Sequence, residues 1–224
     1  MSIIIDSLEN IEEVNMAFSV KFTLTSKWFD RRLTFNNLHD DEFLNEIDYT
    51  LFEKLWVPIF IFENTKDKFT TRFDQKAKIF IEKRGNFSLA PETSTEEIAY
   101  YDGSENIIRY TRNFYLRFKC QFELQFYPFD RQMCTIILKK NSREERFIKL
   151  HPEKVFFKGP KDMEDFFLQS VDIIGKSDES AADAQIRIFL KRRVAQHLLY
   201  TYLPSFCILI ISQVKLIYKK IKIK

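Results

Sequence analysis

Glycine is scarce in this 224-residue chain: only Gly85, Gly103, Gly159 and Gly175 occur. They are too few and too scattered for a phosphate-cradling loop, which excludes the common nucleotide-binding motifs. Histidine and cysteine are nearly as rare. None of His39, His151 and His197 lies close in sequence to Cys120, Cys134 or Cys207, and there is no C-x-x-C pair, so neither a Cys/His zinc site nor a dithiol redox motif is expected. No nucleophile and base are spaced for catalysis, so the chain reads as no enzyme, with no cofactor and no metal. Excess charge of one sign is missing too. Thirty-five Lys and Arg against 32 Asp and Glu leave +3, and much of that sits at Lys215, Lys219, Lys220, Lys222 and Lys224, so nucleic acid is not an expected partner. The start, MSIIIDSLEN, has no basic residue and only a three-residue apolar run before Asp6, so no signal peptide is read in this chain.

What is abundant is phenylalanine: 24 of them, in a chain that is 45% apolar and 16% aromatic. That is enough to build a core, and the apolar residues are arranged as strands. In AFSVKFTLTSKW, Phe18, Val20, Phe22, Leu24 and Trp28 alternate with Ser19, Lys21, Thr23, Thr25 and Lys27. IIRYTRNFYLRFKCQFEL repeats the period with Ile108, Tyr110, Phe114, Leu116, Phe118, Cys120, Phe122 and Leu124 on one face. AQIRIFLKRR alternates as well, and KAKIFIEKRGNFSLA reads as a hairpin turning at Gly85-Asn86. Strands at this spacing predict a mainly β fold, an immunoglobulin-like sandwich. HDDEFLNE, APETSTEE and GKSDESAADA read as exposed loops. Asn86-Phe87-Ser88 fits the N-glycosylation acceptor pattern at the expected hairpin tip.

One stretch is membrane-like. Val194 to Val214 is free of Asp, Glu, Lys and Arg, and as a helix it would span about 30 Å, the thickness of a bilayer's hydrocarbon core. A buried C-terminal helix is the other reading. The lysines that follow place the C-terminus in the cytoplasm and everything upstream outside the cell. The expected organisation is therefore residues 1–193 as an extracellular sandwich, 194–214 as a transmembrane helix and 215–224 as a basic cytoplasmic tail.

Between Cys120 and Cys134 lie thirteen residues, with Tyr127-Pro128-Phe129-Asp130 in their middle. A disulfide there requires a secretory compartment and would close a fifteen-residue loop, worth roughly 3 kcal/mol in the chain-entropy model. An aromatic loop tip is poorly placed in water and better placed against a membrane interface or another domain.

This loop resembles the signature of the Cys-loop receptors, the pentameric neurotransmitter-gated ion channels, with matches at Cys120, Phe122, Leu124, Tyr127, Pro128, Asp130 and Cys134. Other segments follow in the family's order: SLENIEEVNMAFSV, WFDRRL, LWVPIFIFEN, and LKRR followed by YTYLPS. The likeness is nearest to the invertebrate anion-channel branch. It implies a ligand-gated, chloride-type channel subunit in the plasma membrane, including a postsynaptic one, with a ten-stranded extracellular sandwich. Its partners would be a small-molecule agonist, the lipid bilayer and related subunits in a homo- or hetero-pentamer. Glu13 and Val14 would meet Pro128, Asp130 and the neighbouring Tyr127 and Phe129 above the membrane, with Arg192 beneath them, as a coupling cluster. The ligand positions implied are Thr23, Thr25, Glu63, Arg112 and Asn141. They lack the aromatic box that amine-binding members use, so the resemblance implies either a ligand that is not an amine or a subunit that supplies one face of a site. Because nothing corresponding to the family's pore-lining helix follows Lys224, the expectation is a chain shortened after its first span. The alternative function is a ligand-binding or dominant-negative subunit without channel activity.

Overall fold

The computed structural model describes residues 1–52, 54–66, 69–70, 77–89, 98–141, 143, 148–175 and 183–222. Among them run thirteen strands: β1 (Ser2–Glu12), β2 (Ala17–Trp28), β3 (Thr34–Asn36), β4 (Phe60–Phe62), β5 (Phe69–Thr70), β6 (Lys78–Glu82), β7 (Phe87–Leu89), β8 (Ala99–Asp102), β9 (Ile107–Lys119), β10 (Arg131–Lys140), β11 (Lys154–Phe157), β12 (Phe166–Gly175) and β13 (Ala184–Arg192). They form two five-stranded sheets, ordered β11-β1-β2-β9-β6 and β12-β13-β10-β4-β5, and a small third sheet, β3-β8-β7. The β1–β11 pairing is parallel.

The period of two decides what is buried. β2 turns Phe18, Val20, Phe22 and Leu24 inward, and β13 answers with Ala184, Ile186, Ile188 and Leu190, none of them more than 2% exposed. The phenylalanines gather where the sheets face each other. Phe22 stacks on Phe114 at 5.2 Å and meets Phe62 edge-on at 5.4 Å, while Phe62 also packs against Phe118 at 5.9 Å. Offset and edge-to-face pairs of this kind add about 0.5–1.5 kcal/mol each beyond area burial. A second, smaller core around Ile79, Ile81, Ile108 and Tyr110 is capped by Trp28, Leu33 and Leu55.

Three sequence expectations change. Gly85-Asn86 is not a hairpin turn, because β6 pairs with β9 in the first sheet and β7 pairs with β8 in the small one, so the segment crosses between sheets. HDDEFLNE is not a plain exposed loop. It contains a 3-10 turn, Glu42–Asn45, begun by the Asp41 side chain accepting from Phe43 N–H, and buried Asn45 bonds to both the N–H and the carbonyl of His39 and to the Ile81 carbonyl. Leu124 leaves the apolar face of the strand before it: the strand ends at Lys119, and Leu124 is 40% exposed. APETSTEE and residues 176–182 of GKSDESAADA lie outside the described residues. Asp183 and Ala184, the last two of that stretch, are buried, and Asp183 pairs with Lys140 at 3.3 Å.

Beyond the sandwich, α1 (Val194–His197), a π turn (Leu198–Tyr202) and α2 (Leu203–Lys222) make one helical segment. The π turn has a local cause. Pro204 has no N–H for the carbonyl one turn back, and the ladder widens just before it, with Leu203 N–H bonding to the Leu198 carbonyl. The helix passes Val214 and continues to Lys222, so the start of the basic tail is helical. Leu198–Leu216, 19 residues of mean hydropathy 1.4, is the one described helix long and apolar enough to cross a membrane, and none of it is buried against the rest of the chain.

Candidate functional site

Arg192 reaches its site by strand parity. It is the next inward position after Ala184, Ile186, Ile188 and Leu190, at the very end of β13, so it lies at the end of the sandwich from which the helix departs. The register puts Phe166 of β12 opposite it on one side. On the other, Asp130 precedes β10, and its carbonyl accepts the Arg192 N–H at 3.3 Å. The guanidinium then forks onto the carboxylate: Nε donates to Asp130 Oδ1 at 2.6 Å and Nη2 to Oδ2 at 2.9 Å. Nη2 also pairs with Glu13, from the turn between β1 and β2. The Tyr127 and Phe166 rings lie 4.8 and 4.6 Å from the guanidinium carbon. Planar, weakly hydrated arginine suits this combination of bidentate pairing and ring stacking, which a lysine could not reproduce.

Arg192 and Asp130 are each 3% exposed. Burial pushes the Asp130 carboxyl up, but hydrogen bonds from Arg192 and Gln132 outweigh it and hold the group below its ordinary value of 3.8. Burial likewise works against the Arg192 charge, and Asp130 and Glu13 more than compensate, so its pKa is raised. The buried guanidinium is thus paired with a buried carboxylate and with Glu13, the condition under which buried ions are tolerated.

The Cys loop is held at several points. Cys120 and Cys134 are joined by a disulfide. Gln132 donates to Asp130 and to the Glu123 carbonyl at 2.9 Å and accepts the Glu123 N–H at 2.9 Å, linking the two limbs of the loop. Met16 docks the β1–β2 turn against the loop's start, its carbonyl accepting the Cys120 N–H at 2.9 Å and its sulfur the Phe122 N–H at 3.5 Å. Just past the loop, Asn64 anchors β10, bonding to the Thr135 carbonyl at 2.6 Å and to the Ile137 N–H at 2.9 Å. The tip itself is open, with Phe129 68% and Phe126 71% exposed, and Val14 of the β1–β2 turn is 96% exposed. Tyr127 Oη lies 3.0 Å from His197 Nδ1 at the foot of the helix.

Sequence reasoning named Glu13, Val14, Tyr127, Pro128, Phe129, Asp130 and Arg192, and the structure brings these residues to one end of the sandwich. It missed Gln132, Met16, Phe166 and His197. Gln132 and Phe166 had a signal, since both lie on inward parity beside the cluster. Met16 and His197 had none.

The ligand-candidate residues do not converge. Thr23 and Thr25 are on the face of the first sheet that points away from the core, with Thr23 Oγ1 2.7 Å from Asn113 Oδ1 and Thr25 Oγ1 3.4 Å from Thr111 Oγ1. Arg112 is buried on the opposite strand face, its guanidinium 4.6 Å from the Phe114 ring centre. Glu63 belongs to the second sheet's end and pairs with Lys139 at 2.6 Å. Asn141 follows β10, its N–H bonded to the Ile59 carbonyl at 3.2 Å. A cavity of about 620 Å³ below Leu33–Leu55 and one of about 350 Å³ between Leu8–Ile11 and Pro160–Phe166 include none of these five. Among the described residues, no group of His, Cys, Asp and Glu could hold a metal ion. Asn86 and its two followers are exposed.

Residues 1–196 match the model of the family described as "Neurotransmitter-gated ion-channel ligand binding domain". Among curated relatives, a gamma-aminobutyric acid receptor subunit beta-like of Drosophila melanogaster is 26% identical over 232 residues, covering 96% of this chain and 42% of its own length. A gamma-aminobutyric acid receptor subunit theta of Mus musculus is 31% identical over 136 residues, 61% of this chain and 18% of its own. The serotonin-gated chloride channel mod-1 of Caenorhabditis elegans is 21% identical over 221 residues, 94% of this chain and 40% of its own. This chain thus spans about two-fifths of the length of the relatives that match it throughout. With a match over 196 of its 224 residues, the chain belongs to the neurotransmitter-gated ion-channel ligand-binding domain family.

Proposed function

We propose that this chain is the extracellular ligand-binding domain and first membrane helix of a subunit of a pentameric, chloride-type ligand-gated channel, and that the Arg192 cluster couples its sandwich to the membrane. The observation that carries the reading is the cluster's composition. One guanidinium joins the β1–β2 turn through Glu13, the Cys loop through Asp130 and Tyr127, and the strand that becomes the helix. A fully paired buried charge at a three-way junction can hold discrete arrangements, so a movement in either sheet reaches the helix as a rigid-body change. The apolar tip residues Val14, Phe126 and Phe129 provide the surface that meets the membrane-embedded part.

For the agonist, the outward face around Thr23 and Thr25 and the Glu63–Asn141 region sit on different sheets. A small ligand would be gripped between one subunit's first sheet and its neighbour's second. Relatives are named for gamma-aminobutyric acid or serotonin, which supports a small amino compound as the ligand class, with this subunit supplying one face of the site and its neighbour the aromatic groups that this chain's positions lack. Co-expressed in oocytes with the full-length Drosophila relative, the chain is expected to co-purify with it and to alter its agonist-evoked current. Unchanged current together with no co-purification would sink the reading.

An extracellular sandwich also makes Asn86 a glycan site. It is exposed, stands one residue before β7, and β7 is the terminal strand of the small sheet, so a glycan there would shield an open edge. Material passed through the secretory pathway is expected to show a glycosidase-sensitive mass that Asn86→Gln and Ser88→Ala each abolish. Identical mobility with and without glycosidase would exclude it.

A further inference from the structure

Of the three histidines, His39 and His151 are exposed, whereas His197 is wedged between two segments that are distant in sequence. Its Nδ1 lies 3.0 Å from Tyr127 Oη at the Cys-loop tip, and the two rings meet nearly edge-on at 5.4 Å. Its Nε2 is shielded from solvent and makes no hydrogen bond among the described residues. The nearest acid to it is Asp165, just before β12, with Oδ1 at 3.9 Å. That gap is too long for a hydrogen bond but within the range of an ion pair. Of the other charged groups around this corner, Glu164 is exposed beside Asp165, and the two arginines are engaged. Arg193 bonds Asp162 at 3.0 Å, its N–H takes the Asp165 carbonyl at 2.8 Å, and Arg192 is held by Asp130 and Glu13.

We propose that His197 is a proton-responsive positioning residue that ties the tip of the Cys loop to the foot of the helix, an inference that rests on the coupling role assigned above to this end of the sandwich. Neutral imidazole has one N–H. With Tyr127 donating to Nδ1, the proton sits on Nε2 and faces Asp165 without charge. Adding a second proton makes both nitrogens donors: the Tyr127 contact reverses, so that Nδ1–H donates to Oη, and Nε2–H gains an ionic partner in Asp165. His197 precedes the apolar stretch Leu198–Leu216, so a proton taken up there should draw the loop before β12, the helix start and the Cys-loop tip together.

Hydrogen–deuterium exchange of the whole chain in detergent micelles reads this directly and needs no current, so it can fail or succeed independently of the channel reading. After correction for intrinsic rates, amides of residues 124–130 are expected to exchange about two- to fivefold more slowly at about pH 5.5 than at about pH 7.5, the size of a half-exposed ion-pair contact. His197→Gln keeps a hydrogen-bonding group beside Tyr127 but cannot titrate, and it should flatten the difference. Asp165→Asn should flatten it too, and replacing His39 and His151 should leave it intact. No pH difference in the wild type, or an undiminished one in His197→Gln or Asp165→Asn, would overturn the proposal.

Discussion

Replacing Arg192 with alanine is expected to destabilise the chain by about 3–5 kcal/mol, the cost of deleting one partner of a buried ion pair and leaving the other charge uncompensated. The loss falls on Asp130. Glu13 has a quarter of its side chain exposed and can return to water, but the Asp130 side chain is 2% exposed and would keep only Gln132 as a side-chain partner. Arg192→Lys keeps the charge but loses the fork and the stacking between Tyr127 and Phe166, so it should recover only part of the loss. The double change Arg192→Met with Asp130→Leu should recover most of it, because two apolar side chains remove the desolvation cost together with the attraction. Denaturant unfolding of the detergent-solubilised chain, followed by the fluorescence of Trp28 and Trp56, measures all three. A cost below about 1 kcal/mol for Arg192→Ala, the range of exposed pairs, would show that the cluster is solvated.

The pH dependence follows with a definite sign. Because the folded Asp130 carboxyl is held below its ordinary value of 3.8, the pair's contribution is present above that value and is lost as pH falls through the lower, folded one. The stability gap between wild type and Asp130→Asn should therefore be constant near neutrality and close only in strong acid. A gap that closes already near pH 6 would point to a different titrating group.

Removing the Cys120–Cys134 bond by changing both residues to alanine should cost about 3 kcal/mol, since the open loop of fifteen residues regains chain entropy when unfolded. Both sulfurs are also core atoms, Cys134 fully buried and Cys120 5% exposed, so a small packing loss adds to it. The variant should be cleaved faster by protease within residues 121–133, and non-reduced peptide mapping of wild-type material should recover residues 120 and 134 on one cross-linked species. Free thiols at both positions in secreted chain would contradict the structure here. The Gln132 and Met16 contacts stay in place, so the loop should loosen rather than detach from the β1–β2 turn.

Particular residues show how far the sequence could be read. The alternation through Ile186, Ile188 and Leu190 points Arg192 inward, and the same parity through Cys134 and Gln132 points Asp130 inward, so two halves of the cluster are visible in local pattern. Thr23 and Thr25 are placed outward by the same rule. The crossover at Gly85-Asn86 was misread as a hairpin, because a turn sequence between two apolar runs says nothing about which other strands compete for them. Here β9 takes β6 and β8 takes β7.

By itself, then, the sequence determined most strand faces, the aromatic core and the apolar helix, because these follow from local side-chain periodicity and composition, while the closed loop was legible only through the resemblance that its cysteine spacing and inner residues carry. Only the tertiary structure decided that Met16 receives the start of the Cys loop, and that Tyr127, His197 and Asp165 meet at one corner. Those contacts join segments from different sheets and from the helix. Their distances are set by how the sheets stack and where the chain leaves them, and no local period encodes that.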